Sequence, residues 1–236
     1  MKLYKFKGGG EALHTLDIAM NERLYCARYG QLNDPFEGQY QSMIYRNFLI
    51  GGALVNTVAI GGGQSPVKVY GALDELDLAA DQNQLVCSLT TAWYDVRMWA
   101  LYGDSSRGVA FEFEVDEHHP GLHQVQYLDE LPHVAIGLLS TPTAADVLSR
   151  KTKHWEYEKE WRFISASEYV KLPGMLRRVL IGSRAPEALK TALIKLAPWH
   201  SDVYTVMLDH AGVQMKLGHE LRPSLGRPEA QPAGRA

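Results

Sequence analysis

The run His154-Trp155-Glu156-Tyr157-Glu158-Lys159-Glu160-Trp161-Arg162-Phe163-Ile164 packs acidic, basic and large aromatic residues more densely than any other part of the chain. Its alternation constrains the fold. As a strand from about Tyr157, it puts Glu158, Glu160 and Arg162 on one face and Tyr157, Trp161 and Phe163 on the other. The apolar face then belongs to a core and the charged face to solvent or to chemistry. Two carboxylates two residues apart beside a guanidinium make a candidate reaction centre.

Similar short runs recur. Leu3 to Phe6, Arg23 to Ala27, Leu85 to Thr91, Val109 to Val115, Gln124 to Leu128, Arg177 to Ile181, Val203 to Leu208 and Val213 to Leu217 read as strands. Helical signals mark Glu11 to Met20, with Leu13, Leu16 and Met20 on one side, and Asp95 to Tyr102, with Asp95 as cap. Thr143 to Arg150 and Ser183 to Leu196 also read as helices, and Tyr40, Met43, Ile44 and Phe48 have the spacing of an apolar helix face. In the strand Val109 to Val115 the apolar residues point inward, leaving Glu112 and Glu114 on a solvated face. Strands and helices do not alternate over long stretches, so the expected class is α+β, with a mainly antiparallel sheet core and short flanking helices.

The chain has 236 residues and is 46% hydrophobic, enough for a sizeable core. We expect one domain over residues 1–221, a mobile insertion over 51–72, and a disordered tail over 222–236, which is rich in Pro, Gly and Ala. A net charge of -3 supplies no overall positive field toward nucleic acid or acidic membranes. Neither a signal core nor a run of membrane-spanning length is present, and Cys26 and Cys87, without metal-type spacing, read as core residues of a reducing compartment. A cytoplasmic protein is expected.

Several chemistries lack their motif. There is no strand-Gly-x-Gly-x-x-Gly-helix unit, no Gly-x-Ser-x-Gly elbow, and no Gly-Lys-Ser/Thr after Gly8-Gly9-Gly10. The histidines of His118-His119-Pro120-Gly121-Leu122-His123 have no Glu-x-x-His or cysteine partners, so no metal is expected. Asn33-Asp34-Pro35-Phe36-Glu37-Gly38 is a turn in which Asn33, Asp34 and Glu37 serve either a helix entry or a substrate loop.

Three blocks together resemble a widespread bacterial family known mainly as a domain of unknown function. They are Asn33-Asp34-Pro35-Phe36-Glu37, Met98-Trp99-Ala100-Leu101-Tyr102 continuing to Gly108-Val109-Ala110-Phe111-Glu112-Phe113, and Trp155-Glu156-Tyr157-Glu158-Lys159-Glu160-Trp161-Arg162. More distantly, the layout resembles the ADP-ribosyltransferase fold. Leu3-Tyr4-Lys5 is similar to its aromatic-basic first strand, Ser88-Leu89-Thr90 to its hydroxyl-bearing middle strand, and Glu158-Lys159-Glu160 to the late strand whose second acid is catalytic. Lys5 stands where that superfamily usually has Arg or His.

The second resemblance implies an enzyme that takes ADP-ribose from NAD, by transfer or hydrolysis, in bacterial stress, toxin or phage-defence systems. The resemblance does not name the acceptor, and a protein and a nucleic acid are both compatible with it. Glu160 then stabilises the oxocarbenium-like sugar and Glu158 orients or deprotonates the acceptor. Ser88 and Thr90 support the ribose and the Glu160 side chain, Trp99 or Tyr102 stacks on nicotinamide, Tyr4 marks the first strand, and Lys5 or Arg162 faces the pyrophosphate. On this reading Glu160→Gln abolishes NAD consumption and leaves the melting temperature nearly unchanged. Three alternatives stay open. The first is an exposed ion-pair ladder of Glu158, Glu160 and Arg162 with Lys151 or Arg107. The others are a non-catalytic ligand-sensing or protein-interaction domain, and a metal-dependent nuclease built on Asp34, Glu37, Glu158 and Glu160.

Overall fold

The computed structural model describes residues 1–28, 31–34, 39–44, 47–50, 53–56, 67–72, 84–130, 133–136, 143–171 and 174–224. In chain order the strands are β1 (Lys2–Lys7), β2 (Arg23–Tyr25), β3 (Gln39–Ile44), β4 (Asn47–Ile50), β5 (Ala53–Asn56), β6 (Val67–Ala72), β7 (Leu85–Thr90), β8 (Val109–Val115) and β9 (Leu122–Gln124). They continue as β10 (Gln126–Leu128), β11 (His133–Ile136), β12 (Arg150–Thr152), β13 (Glu160–Ser165), β14 (Tyr169–Lys171), β15 (Gly174–Ile181), β16 (Asp202–Leu208) and β17 (Met215–Arg222). The helices are α1 (Ala12–Asn21), α2 (Val96–Leu101), α3 (Ala144–Leu148) and α4 (Glu187–Leu196). The protein is α+β and mostly sheet.

The chain forms two compact units, the first made of Met1–Tyr25, Leu89–His119 and Tyr169–Ala236, the second of Cys26–Ser88 and Pro120–Glu168.

The first unit is built on a large mixed sheet in which β17, β16, β15, β8 and β1 lie side by side. β8 is antiparallel to β1 from Lys2↔Glu114 to Lys7↔Val109, and antiparallel to β15 on its other side. β15 and β16 are parallel, which requires a crossover, and α4 supplies it. Leu3, Val109, Ala110, Phe111, Leu180 and Ile181 are fully buried, so the core lies on the central strands. Asp95 caps α2 as expected, its carboxylate accepting from the Arg97 amide at 2.8 Å. The turn after α2 carries three successive left-handed residues, Asp104, Ser105 and Ser106. Gly108 follows because the β1 backbone runs against it, and a Cβ there would stand 2.0 Å from the Lys7 carbonyl.

Two expectations fail here. Helix α1 buries Thr15, Ile18 and Ala19, while Leu13 and Met20 stay 83% and 60% exposed. The helix carries two apolar stripes, and the one bearing Ile18 and Ala19 wins. Glu112 is not solvated but 1% exposed, because Tyr4 and Arg178, from the strands on either side of β8, close on its carboxylate. Strand β17 runs through Arg222, whose guanidinium donates to the carbonyls of Ile194, Ala197, Pro198 and Ser201. Of the expected tail, residues 222–224 are described, Arg222 as the last residue of β17, and residues 225–236 lie outside the described residues.

In the second unit, β13 lies between β7 and β9, β3 lies between β11 and β6, and β4 pairs with β5. Tyr40, Met43, Ile44 and Phe48, read as a helix face, thus lie on strands, since apolar residues three and four apart also fit two short strands. Of the expected insertion, Ala53–Asn56 and Val67–Ala72 are strands and the rest lies outside the described residues. Thr143 and Asp146 form a capping box that starts α3, and β12 follows it, parallel to β10.

Candidate functional site

The charged run does not continue as one strand. Lys153–Glu158 forms a 3-10 turn that closes on Lys159 in the left-handed region (φ 44°), and β13 begins at Glu160. Glu158 therefore reaches the site from a turn rather than from the strand face first assigned to it. Glu160 and Arg162 do share a face of β13, as alternation requires.

That face points inward, against expectation. Arg162 is 0% exposed, Glu158 2%, Glu160 3% and Lys151 6%, whereas Trp161 on the opposite face is half-buried. The charges can be buried because they satisfy one another. Arg162 Nε donates to Glu160 Oε1 at 2.9 Å, and its Nη2 donates to Oε2 at 3.1 Å. Lys151, from β12, places Nζ 2.7 Å from Glu158 Oε2 and 2.9 Å from Glu160 Oε2. Arg162 Nη1 donates to the Leu148 carbonyl at the end of α3. The Ser88 hydroxyl, on β7, donates to Glu160. Tyr127, paired with Lys151 across β10 and β12, accepts the Glu160 amide at 2.7 Å through its hydroxyl. Lys151 Nζ also lies 5.0 Å from the centre of the Trp155 ring.

Burial pushes the Glu160 carboxyl upward, but the charges of Arg162 and Lys151 and the hydrogen bonds from Arg162 and Ser88 outweigh it and hold the group at about 2. For Lys151, burial works downward, and the carboxylates of Glu160 and Glu158 raise it above the usual lysine value. Both are charged at neutral pH. With Arg162 and Glu158 they form a quartet of two cations and two anions, neutral as a whole.

The ladder reading identified Lys151 but expected an exposed strand, whereas the pairs are buried. Arg107 is not among them and pairs instead with Asp104 at 2.8 Å. Tyr127 was missed, because a tyrosine in a short polar strand carries no signal of a partner 33 residues away.

The remaining expected residues divide. Asp34 is buried and Asn33 exposed in the second unit, and Glu37 lies outside the described residues. Tyr4, Lys5, Thr90, Trp99 and Tyr102 belong to the first unit. Trp99 is 1% exposed, stands edge-on to Phe6 at 5.0 Å, and donates its indole N–H to the Trp93 carbonyl. It is a core anchor with no open ring face, so of the two stacking candidates Tyr102, half-buried at the C-cap of α2, is left. Among the described residues no group of three or more His, Cys, Asp or Glu has the arrangement of a metal site. No helix among them is long and apolar enough to cross a membrane.

A second polar array, unread in the sequence, crosses the sheet of the first unit. Thr90, Tyr4, Glu112, Arg178 and Asp202 occupy successive paired positions on five strands. The Tyr4 hydroxyl donates to Glu112 Oε2 at 2.8 Å, Lys2 Nζ stands 3.1 Å from Oε1, and Arg178 Nη1 stands 3.5 Å from Oε2. Burial, then the bond to Glu112, pushes the Tyr4 phenol upward. An open groove of about 630 Å3 in this unit is lined by Glu22, Glu114, Asp116, Met175, Arg177 and His200, none of them an expected site residue.

No family model, no curated protein and no solved structure matches this chain.

Proposed function

We propose that this protein is an ADP-ribosyltransferase-like enzyme that takes NAD as substrate, with the quartet of the second unit as its reacting centre. One observation carries the reading: the Ser88 hydroxyl on β7 reaches the Glu160 carboxylate on β13. That is the pairing the resemblance implies between a middle-strand hydroxyl and the second acid of a late Glu-x-Glu. The three marked strands, β1, β7 and β13, follow one another along the chain in the order that the resemblance implies.

In the reaction the bond between the nicotinamide nitrogen and the ribose carbon breaks, and its electron pair leaves with nicotinamide. The sugar carbon gains positive charge, which a fixed, ionised carboxylate stabilises. Glu160, held at about 2 and clamped by two guanidinium nitrogens, is such a group. The acceptor, or water, then bonds to that carbon and gives up its proton to Glu158. The pyrophosphate of the dinucleotide draws on Lys151, the more accessible of the two cations at 6% exposure.

The test is to incubate the purified protein with NAD and follow nicotinamide release, with Glu160→Gln and Ser88→Ala beside the wild type. Burial of Glu160 means that the first variant loses stability, contrary to the expectation from sequence, so rates are taken well below its melting temperature and per folded molecule. Loss of turnover in folded Glu160→Gln supports the proposal, and full activity refutes it.

A second reading rests on the exposures of 0 to 6% across the quartet. There the charges serve as an internal clamp that holds β12, the 3-10 turn and β13 together in a non-catalytic sensing or interaction domain. A thermal shift with NAD and no nicotinamide release favours this reading over the enzyme.

A further inference from the structure

The chain contains two cysteines, Cys26 and Cys87, and both are 0% exposed. Sequence alone gives no relation between them. The backbone does, because Ala27 and Val86 form an antiparallel bridge in which each amide donates to the other's carbonyl at 2.8 Å. In an antiparallel ladder the positions flanking such a pair are the non-hydrogen-bonded ones, where opposite Cα atoms stand about 4.5 Å apart and side chains share a face. One step from this bridge, the antiparallel register sets Cys26 opposite Cys87. The Cys26 amide agrees, turning away from β7 to donate to the Glu168 carbonyl at 2.7 Å. Disulfides span Cα separations of roughly 4.4 to 6.8 Å, and the flanking position falls inside that range.

We propose that Cys26 and Cys87 are a dithiol pair that closes reversibly to a cross-strand disulfide when the protein meets a hydroperoxide. One thiolate attacks the peroxide O–O bond, giving a sulfenic acid and hydroxide. The other thiol then attacks that sulfur and expels water. Two thiols and one hydrogen peroxide yield one disulfide and two waters, and a small thiol reductant restores the pair by exchange. Access to the buried sulfurs comes from local opening. Ala27 meets β7 through an isolated bridge of two hydrogen bonds, which costs far less to open than a full strand pair. Once formed, the link closes a loop of roughly sixty residues and braces β7 one residue ahead of Ser88.

The experiment treats the full-length reduced protein with hydrogen peroxide under native conditions, quenches it with an alkylating reagent, and maps peptides without reduction. The expected product is a monomer in which both thiols have disappeared, whose mass is lower by two hydrogen atoms and which yields a Cys26–Cys87 linked peptide. Dithiothreitol should return both thiols. The linked form should melt roughly 10 °C higher than the reduced form. Cys87→Ser, given the same treatment, should instead accumulate oxygen on Cys26. Three results overturn the proposal: both thiols persisting where the urea-unfolded chain oxidises, oxygen added to each cysteine of the wild type without a linked peptide, or disulfides formed only between chains. None of them depends on whether NAD is turned over.

Discussion

Removing one charge from the quartet should destabilise the fold by an amount that the geometry sets. Glu160→Gln keeps the shape of the side chain and an acceptor for Ser88, but deletes the anion facing Arg162 and Lys151. Arg162, at 0% exposure, has no water to replace it, and Glu158 alone must balance two cations. The Glu160 carboxyl sits at about 2 against an ordinary value of 4.5, so the folded state favours its ionised form by about 3 kcal/mol. Breaking a buried ion pair by removing one partner typically costs roughly 3–5 kcal/mol, which agrees. For a chain of this size that is a fall in melting temperature of roughly 6–12 °C at the lower figure. The pH dependence follows from the direction of the shift. Because the folded value is depressed, the stabilisation is fully present above about 4.5 and is lost as pH falls through about 2. Thermal melts of wild type and variant by circular dichroism should therefore differ most near pH 7 and converge as pH drops below 4.5. A variant melting within about 2 °C of wild type at pH 7 would refute the reasoning. So would a gap that stays constant down to pH 3.

Tyr4→Phe removes the hydroxyl that donates to buried Glu112 and leaves Oε2 with Arg178 at 3.5 Å; urea unfolding should show a loss of roughly 1–3 kcal/mol, and an unchanged midpoint would contradict the cross-sheet array. Gly108→Ala sets a methyl group 2.0 Å from the Lys7 carbonyl, so β1 or β8 must shift, and the variant should express poorly or melt well below wild type.

Backbone patterns were legible where one signal acted alone. The alternation of Val109 to Val115, the Asp95 cap and the strand character of Leu85 to Thr90 were all readable, because each depends on residues close in sequence. What failed depended on distant neighbours. Glu112 occupies the slot that reads as solvated in an alternating strand. Its burial comes from Tyr4 and Arg178, 108 and 66 residues away, on the strands that flank β8. In α1, Leu13-Leu16-Met20 and Thr15-Ile18-Ala19 are both consistent with a helical face, and only tertiary packing chooses between them. The candidate centre was half legible. Spacing put Glu160 and Arg162 together, and resemblance added Ser88. Lys151 was legible only as one of two cations for an exposed ladder, because nothing local marks a lysine that will be buried against two acids.

Electrostatic neutrality limits what the quartet can do. A buried ion-pair network is weak evidence of stabilisation, since apolar residues of equal volume often do as well. Stabilising a cationic sugar needs a local excess of negative charge, and two cations against two anions provide none at rest. The excess arises when one cation is drawn away. Arg162 is held by both Glu160 oxygens and the Leu148 carbonyl and has no exposure. Lys151 has only its ammonium between two carboxylates, on a flexible stem beside Trp155. Under the proposed function, an anionic group that competes for Lys151 both anchors the substrate and leaves Glu158 and Glu160 with a single guanidinium, a net charge of minus one. Binding and activation are then the same event. Lys151→Met, which removes that cation permanently, should weaken NAD binding more than Ser88→Ala does. Isothermal titration of the two folded variants measures this, and equal affinities would separate Lys151 from the pyrophosphate and return the quartet to a purely structural role.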